Sequence, residues 1–209
     1  MTRSRGFTLV EALVAVALVG IVLLVVDRVL VSTSRLTRAQ TQRSLQQTRL
    51  QAVAGQVEKT LLGCRAAGVS WQRSASPDAG ILAAHAYQSG SFTADPRWEP
   101  FWRCFVWDAS SGRLYLTQSP TSGSFPIPSE ARPQAMTPAE MDGLLQATLP
   151  GPNLVNGRLL AQRVTDFRFS LVPGPLFRIE IEVDVPAYDA QETTAAARLR
   201  VVKLIHPRV

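Results

Sequence analysis

The sequence contains few of the residue types that build catalytic and metal centres. Two histidines and two cysteines occur in 209 residues, and the histidines, His85 and His206, stand far apart. Because no second cysteine or histidine lies at ligand spacing from either cysteine, a metal site of the zinc type is not expected. The motifs Gly-x-Ser-x-Gly and HExxH, the Walker loop and the dinucleotide fingerprint are all missing. We therefore expect a protein that is not an enzyme and that has no cofactor and no metal site.

Lysine is also scarce, although the chain is basic. The formal net charge is +6, yet Lys59 and Lys203 are the only lysines among 22 basic side chains. No short run of lysine and arginine occurs, so a dedicated nucleic-acid patch is not expected. Three tryptophans leave a second route to DNA open, because exposed rings can stack on unpaired bases, and core packing is the alternative. They are Trp98, Trp102 and Trp107.

Acidic residues gather late in the chain. Asp184, Asp189 and Glu192 flank a predicted loop before the last predicted strand. Calcium would need six or more oxygen ligands, so we interpret these residues as part of a solvated hairpin tip.

One long apolar run stands at the N-terminus. Between Gly6 and Asp27, about twenty residues carry a single charged side chain, Glu11. As a helix this run is about 30 Å long, which matches the hydrocarbon core of a bilayer. No small-x-small cleavage site follows it, so an ordinary secretory signal fits poorly. A carboxylate in such a helix is costly, which indicates either a functional partner for Glu11 or a side chain that reaches the membrane surface.

The order of features around residue 6 resembles the class III signal of type IV pilins and type II secretion pseudopilins. A short leader with Arg3 and Arg5 is followed by Gly6, the sequence FTLVE and an unbroken apolar helix. By this resemblance a prepilin peptidase cuts after Gly6 and methylates the new N-terminal residue, Phe7. Glu11, at the fifth mature position, would act in assembly as the partner of a neighbouring subunit's N-terminal amine.

The resemblance implies a structural subunit. This would be a minor pilin or pseudopilin that joins the filament tip or initiation complex of a type IV pilus or a type II secretion pseudopilus. Its partners would be the prepilin peptidase, the other pilins or pseudopilins of the filament and inner-membrane lipid. The alternative is a tip-located minor pilin that binds DNA for uptake or acts in adhesion. Type II secretion, type IV pili and competence share this signal, so the sequence leaves the three systems open.

The charges around the apolar run conflict with the topology that the resemblance implies. Four arginines follow the run between residues 28 and 43, against two in the leader. The positive-inside rule alone would therefore place the large domain in the cytoplasm. The resemblance instead implies a single-pass inner-membrane protein with its C-terminal domain in the periplasm. We follow the resemblance because its motif is the more specific signal.

The two cysteines, Cys64 and Cys104, have two interpretations. In an exported domain, which meets an oxidising compartment, an even cysteine count predicts a disulfide. Closing a loop of this length would contribute roughly 4 kcal/mol. The alternative is a pair of buried free thiols.

The helical pattern continues beyond the membrane run. Residues 27–62 contain no proline and one glycine, and residues 37–49 are mostly polar. Apolar residues then recur every three or four positions, which predicts a stripe that packs on the domain before a stop at Gly63. The stripe consists of Leu50, Val53, Val57 and Leu61. The predicted organisation is a leader at 1–6, a transmembrane helix at 7–26, a helical continuation at 27–62 and a globular domain at 63–209.

The remainder has the pattern of short strands and loops. Residues 68–80 predict a loop, and a capping box at Thr137 to Glu140 predicts a helix to about residue 147. The predicted fold class is α+β and pilin-like, with the long N-terminal helix packed on antiparallel sheets. The domain length and the pattern at residues 159–167 resemble minor pilins of the J or W type. Strands are predicted at 81–87, 101–108, 113–118, 167–171, 177–185 and 199–205.

Overall fold

A long helix, a short helix and eight strands form the part of the chain that the computed structural model describes. That part comprises residues 9–75, 78–88, 97–119, 126–148, 157–173, 176–185 and 198–206. The chain divides into two compact units, Met1–Leu45 and Gln46–Val209. The domain boundaries predicted from the sequence stay predictions. The elements in order are α1 (Leu9–Leu62), β1 (Cys64–Ala75), β2 (Asp78–Ala86), β3 (Arg103–Asp108), β4 (Arg113–Gln118), α2 (Pro138–Thr148), β5 (Arg158–Gln162), β6 (Val164–Val172), β7 (Leu176–Asp184) and β8 (Arg198–Ile205).

Helix α1 ends where the sequence predicts. Its last residue is Leu62, and the N–H of Gly63 donates to the Thr60 carbonyl at 3.2 Å, which closes the final turn. The predicted apolar stripe is confirmed, because all four of its members are buried in the core of the second unit. An ion pair between Glu58 and Lys203 of β8 adds a polar contact beside that stripe.

Five strands form an antiparallel sheet in the order β1-β2-β3-β4-β5. Neighbouring strands in sequence are neighbours in this sheet, and α2 is inserted between β4 and β5. Strands β3 and β4, predicted at 101–108 and 113–118, form a hairpin that pairs Asp108 with Arg113. Gly112 takes φ of 61° in this turn, a left-handed conformation that glycine adopts without steric cost.

The loop predicted at residues 68–80 is wrong. Strand β1 runs to Ala75 and β2 begins at Asp78, so most of the stretch belongs to these two paired strands. Strand β1 lies at the edge of its sheet and only two of its twelve residues are buried, so its sequence lacks the apolar alternation of a half-buried strand. The Trp71 ring of β1 lies close to the backbone of Gly80 in β2, since a Cβ on Gly80 would lie 2.6 Å from that ring.

The five-stranded sheet separates two apolar clusters. One face packs against the α1 stripe and the inner face of a three-stranded sheet, β6-β7-β8. The other face packs against α2 through Met141, Leu144 and Leu145. The α+β class predicted from the sequence, with a long helix on antiparallel sheets, is thereby confirmed.

Strand β7 shows the alternation that its sequence predicts. Phe177, Ile179, Ile181 and Val183 are buried, and the residues between them are half-buried. The polar face carries ion pairs across the sheet, such as that of Glu180 with Arg200 of β8. These pairs are solvated, so each contributes little to stability.

The capping box of α2 is also confirmed. The Thr137 N–H donates to the Glu140 carboxylate at 2.7 Å, and the Glu140 N–H donates to the Thr137 hydroxyl at 3.4 Å. Pro138 occupies the first helical position, where its missing N–H costs no hydrogen bond.

Candidate functional site

The first half of α1 exposes a continuous apolar surface. Every described residue from Leu9 to Val31 is exposed, and most of them are leucine, valine, isoleucine or alanine. Within the described part of the chain, α1 is the one helix long and apolar enough to cross a membrane by length and composition. Water disfavours such a surface, and lipid accommodates it.

Glu11 lies in the first turn of α1 as described, and its side chain is exposed. A carboxylate near a helix N-terminus interacts favourably with the helix dipole. Gly6 and Phe7, the predicted cleavage and methylation residues, lie outside the described residues. Their roles, and the assembly role of Glu11, stay predictions.

Beyond the apolar segment, α1 satisfies many of its own polar side chains. The hydroxyls of Ser32, Ser34, Thr37 and Thr41 each donate to a backbone carbonyl three or four residues earlier, at 2.8–2.9 Å. A hydroxyl bonded in this way needs no outside acceptor. Helix α1 continues through this polar stretch to Leu62.

The predicted Cys64–Cys104 disulfide is not formed in the structure, and this prediction is corrected. Both cysteines are free and buried, and they belong to the two different apolar clusters. Cys64 pairs with Ala86 and Cys104 pairs with Ala83, three residues apart on β2, so the thiols lie on opposite faces of the sheet. Burial raises the pKa of Cys64 to about 12 and also raises that of Cys104. The alternative interpretation, two buried thiols, describes this structure.

The three tryptophans belong to the core, and the base-stacking interpretation of them is wrong. Trp98, Trp102 and Trp107 are each no more than 1% exposed. The Trp102 indole N–H donates to the Gln134 carbonyl and that of Trp107 to the Val164 carbonyl, at 2.8 and 3.0 Å. Rings held inside a core offer no platform to a base, so the DNA-binding alternative loses its clearest support.

His85 is a buried structural histidine. Its Nδ1 accepts a hydrogen bond from the Gln134 N–H at 3.0 Å, so Nε2 carries the proton and donates to the Glu99 carbonyl at 2.7 Å. Burial lowers the pKa of His85, because the charged ring would lose solvation. Glu99, itself buried, forms an ion pair with Arg103 next to this ring.

The late acidic residues are only partly described. Asp184, at the end of β7, pairs with Arg198 of β8 at 3.6 Å. Asp189 and Glu192 lie outside the described residues. Within the described ranges, no group of three histidine, cysteine or acidic residues could hold a metal ion.

Sequence reasoning missed a groove beside β5. The groove has a volume of about 500 Å³ and lies between β5 and residues 46–56 of α1. Arg163 is one of its lining residues, and its φ of 62° is left-handed although it is not a glycine. No glycine or asparagine marks this position, so the sequence contains no signal of the unusual backbone.

The described fold defines a class of protein: a long N-terminal helix with a membrane-capable segment, packed on antiparallel sheets, which is a pilin-like architecture. Residues 1–26 match the prokaryotic N-terminal methylation motif, the class III signal peptide of type IV pilins. The chain is therefore pilin-like in both its signal and its fold. Neither a curated protein nor a solved structure matches it.

Proposed function

We propose that this chain is a minor pilin or pseudopilin, a structural subunit that joins the filament tip or initiation complex of a type IV pilus or type II secretion pseudopilus. The observation that carries the proposal is the methylation motif at residues 1–26, which overlaps the beginning of a helix able to span a membrane, Leu9–Leu62. The same helix buries a stripe in the folded domain, so one element both anchors the chain and supports its sheets.

In this proposal the prepilin peptidase removes residues 1–6 and methylates the amine of Phe7. Glu11 then lies four residues from a new positive terminus, within lipid. A carboxylate there is stabilised by a neighbouring positive charge, and the amine of an adjoining subunit would supply one. Desolvation offsets much of that attraction, so the pair sets register between subunits more than it adds affinity.

The test is to replace Glu11 in the full-length chain. Glu11→Ala removes the carboxylate, so co-purification with the other filament subunits from detergent-solubilised membranes should fall severalfold. Glu11→Asp keeps the charge on a shorter side chain and should be intermediate. The measurement is a pull-down in which the partner subunits are quantified by mass spectrometry.

Processing serves as the control in the same samples. The intact mass of each variant should match a chain that begins at N-methylated Phe7, because Glu11 is not part of the Gly6–Phe7 peptide bond that is cut. If Glu11→Ala assembled as well as the wild type, the proposed role of the glutamate would be wrong. A mature wild-type chain that keeps Met1 would contradict the pilin assignment itself.

A further inference from the structure

The outer edge of β5 borders an open groove. Strand β5 is the last in its sheet, with β4 on one side, and no described strand pairs with its other side. The groove separates that edge from residues 46–56 of α1 and has Val183 of β7 in its lining. An open strand edge presents unpaired N–H and C=O groups, so it is a template for another strand.

The lining of the groove has a clear chemical character. Leu50, Val53 and Val183, all buried, form the apolar floor of the groove. The charged residues of the described lining are Arg49, Arg158 and Arg163, and none of the lining residues is acidic. The groove therefore combines a strand edge with three positive charges, which favours an anionic extended chain.

Arg163 is the least expected residue of this lining. Its φ of 62° is held by a hydrogen bond from the Asp184 N–H to the Arg163 carbonyl at 3.0 Å, and the next residue bonds to Gly112 at 2.8 Å. Glycine would adopt this backbone without strain, so an arginine at this position does not stabilise the turn. The arginine adds a positive charge to the lining of the groove.

We propose that β5 and this groove bind an extended acidic polypeptide segment of another protein, which joins the five-stranded sheet as a strand beside β5. Backbone hydrogen bonds to β5 would supply affinity, and the three arginines would select acidic side chains. A second copy is a poorer occupant, because pairing β5 with β5 would bring arginines together. The proposal goes beyond filament assembly through α1 and does not depend on it.

The binding test uses the full-length chain in detergent and fluorescence anisotropy. The probe is a labelled octapeptide of alternating glutamate and valine, which should bind saturably. A lysine–valine peptide of the same length should bind at least about tenfold more weakly, because its charges oppose the arginines. The glutamate–valine peptide with four consecutive central amides N-methylated should weaken by a similar factor, because it cannot pair as a strand.

Variants separate a binding role from a structural one. Arg163→Gly should weaken the glutamate–valine peptide about tenfold while the thermal midpoint stays equal or rises, since glycine suits φ of 62°. Arg158→Gln should also weaken binding, whereas Arg132→Gln, at an exposed arginine outside the groove, should not. Unchanged binding by Arg163→Gly would overturn the proposal. Equal binding of the lysine–valine peptide, or of an eight-nucleotide oligo-dT, would also overturn it.

Discussion

At the residue scale, His85 shows how two hydrogen bonds fix a protonation state. The ring lies 5.5 Å from Trp98 and 6.0 Å from Trp102, between centroids, and both nitrogens are used by backbone groups. A proton on Nδ1 would face the Gln134 N–H, so a charged ring breaks one bond and is poorly solvated. The neutral form therefore belongs to the folded state.

This arrangement predicts a dependence of stability on pH. The pKa of His85 is lower in the folded state than its ordinary value of 6.5, so the unfolded state binds more protons below that value. The contribution of His85 to the free energy of unfolding is fully present above about pH 6.5. It is lost as the pH falls toward the pKa of His85 in the folded state. Urea unfolding followed by tryptophan fluorescence at pH 7.5 and pH 5.0 should show this loss.

His85→Gln is the matched variant, because its amide does not titrate. Its midpoint should be lower than that of the wild type at pH 7.5, and the difference between the proteins should shrink at pH 5.0. The carboxylate of Glu99 and the guanidinium of Arg103 face the same region and are unchanged in both proteins. An equal difference at both pH values would show that His85 does not titrate in this window.

At the element scale, α1 packs against the sheets through one narrow stripe of side chains. Val57 and Leu61 are fully buried in the cluster that joins the helix to both sheets. The neighbouring face is solvated, and Gln51 on the same helix is exposed. The stability that the helix lends to the domain therefore depends on a few side chains and not on its length.

Val57→Ala tests this dependence. Removing two buried methyl groups and leaving a cavity should lower the free energy of unfolding by about 2–3 kcal/mol. Gln51→Ala, at an exposed helix position, should change it by less than about 0.5 kcal/mol. The measurement is urea unfolding of the detergent-solubilised full chain. A loss for Val57→Ala no greater than that for Gln51→Ala would mean that the stripe does not support the domain.

At the scale of the whole molecule, two features of the sequence favour opposite sides of the membrane for the domain. The arginines after the apolar run favour the cytoplasm by the positive-inside rule, whereas the methylation motif at residues 1–26 favours export. We expect export, because a charge bias is a weaker determinant than a dedicated signal.

Arg132→Cys offers a direct measurement, since Arg132 is exposed and both native cysteines are buried. A membrane-impermeant maleimide should label this variant in intact spheroplasts. The wild type should stay unlabelled until it is denatured, because buried thiols with raised pKa values react slowly. Labelling of Arg132→Cys only after lysis would place the domain in the cytoplasm.

Features with a strong local pattern could be predicted from the sequence. The apolar run of α1, its buried stripe, the capping box at Thr137 and the alternation of β7 all follow from spacing along the chain. Each requires only that one side of a regular element be apolar or that a helix end be satisfied. The signal at residues 1–26 is equally local.

The tertiary structure decided the rest. Strand β1 lies at a sheet edge with little burial, so pairing with β2 and not alternation makes it a strand. The two cysteines lie on opposite faces because of the register across β2, which no cysteine count can specify. Likewise, the groove at β5 and the backbone of Arg163 arise where separate elements meet. Local sequence encodes period and capping, whereas edges, faces and grooves depend on which distant segments pair.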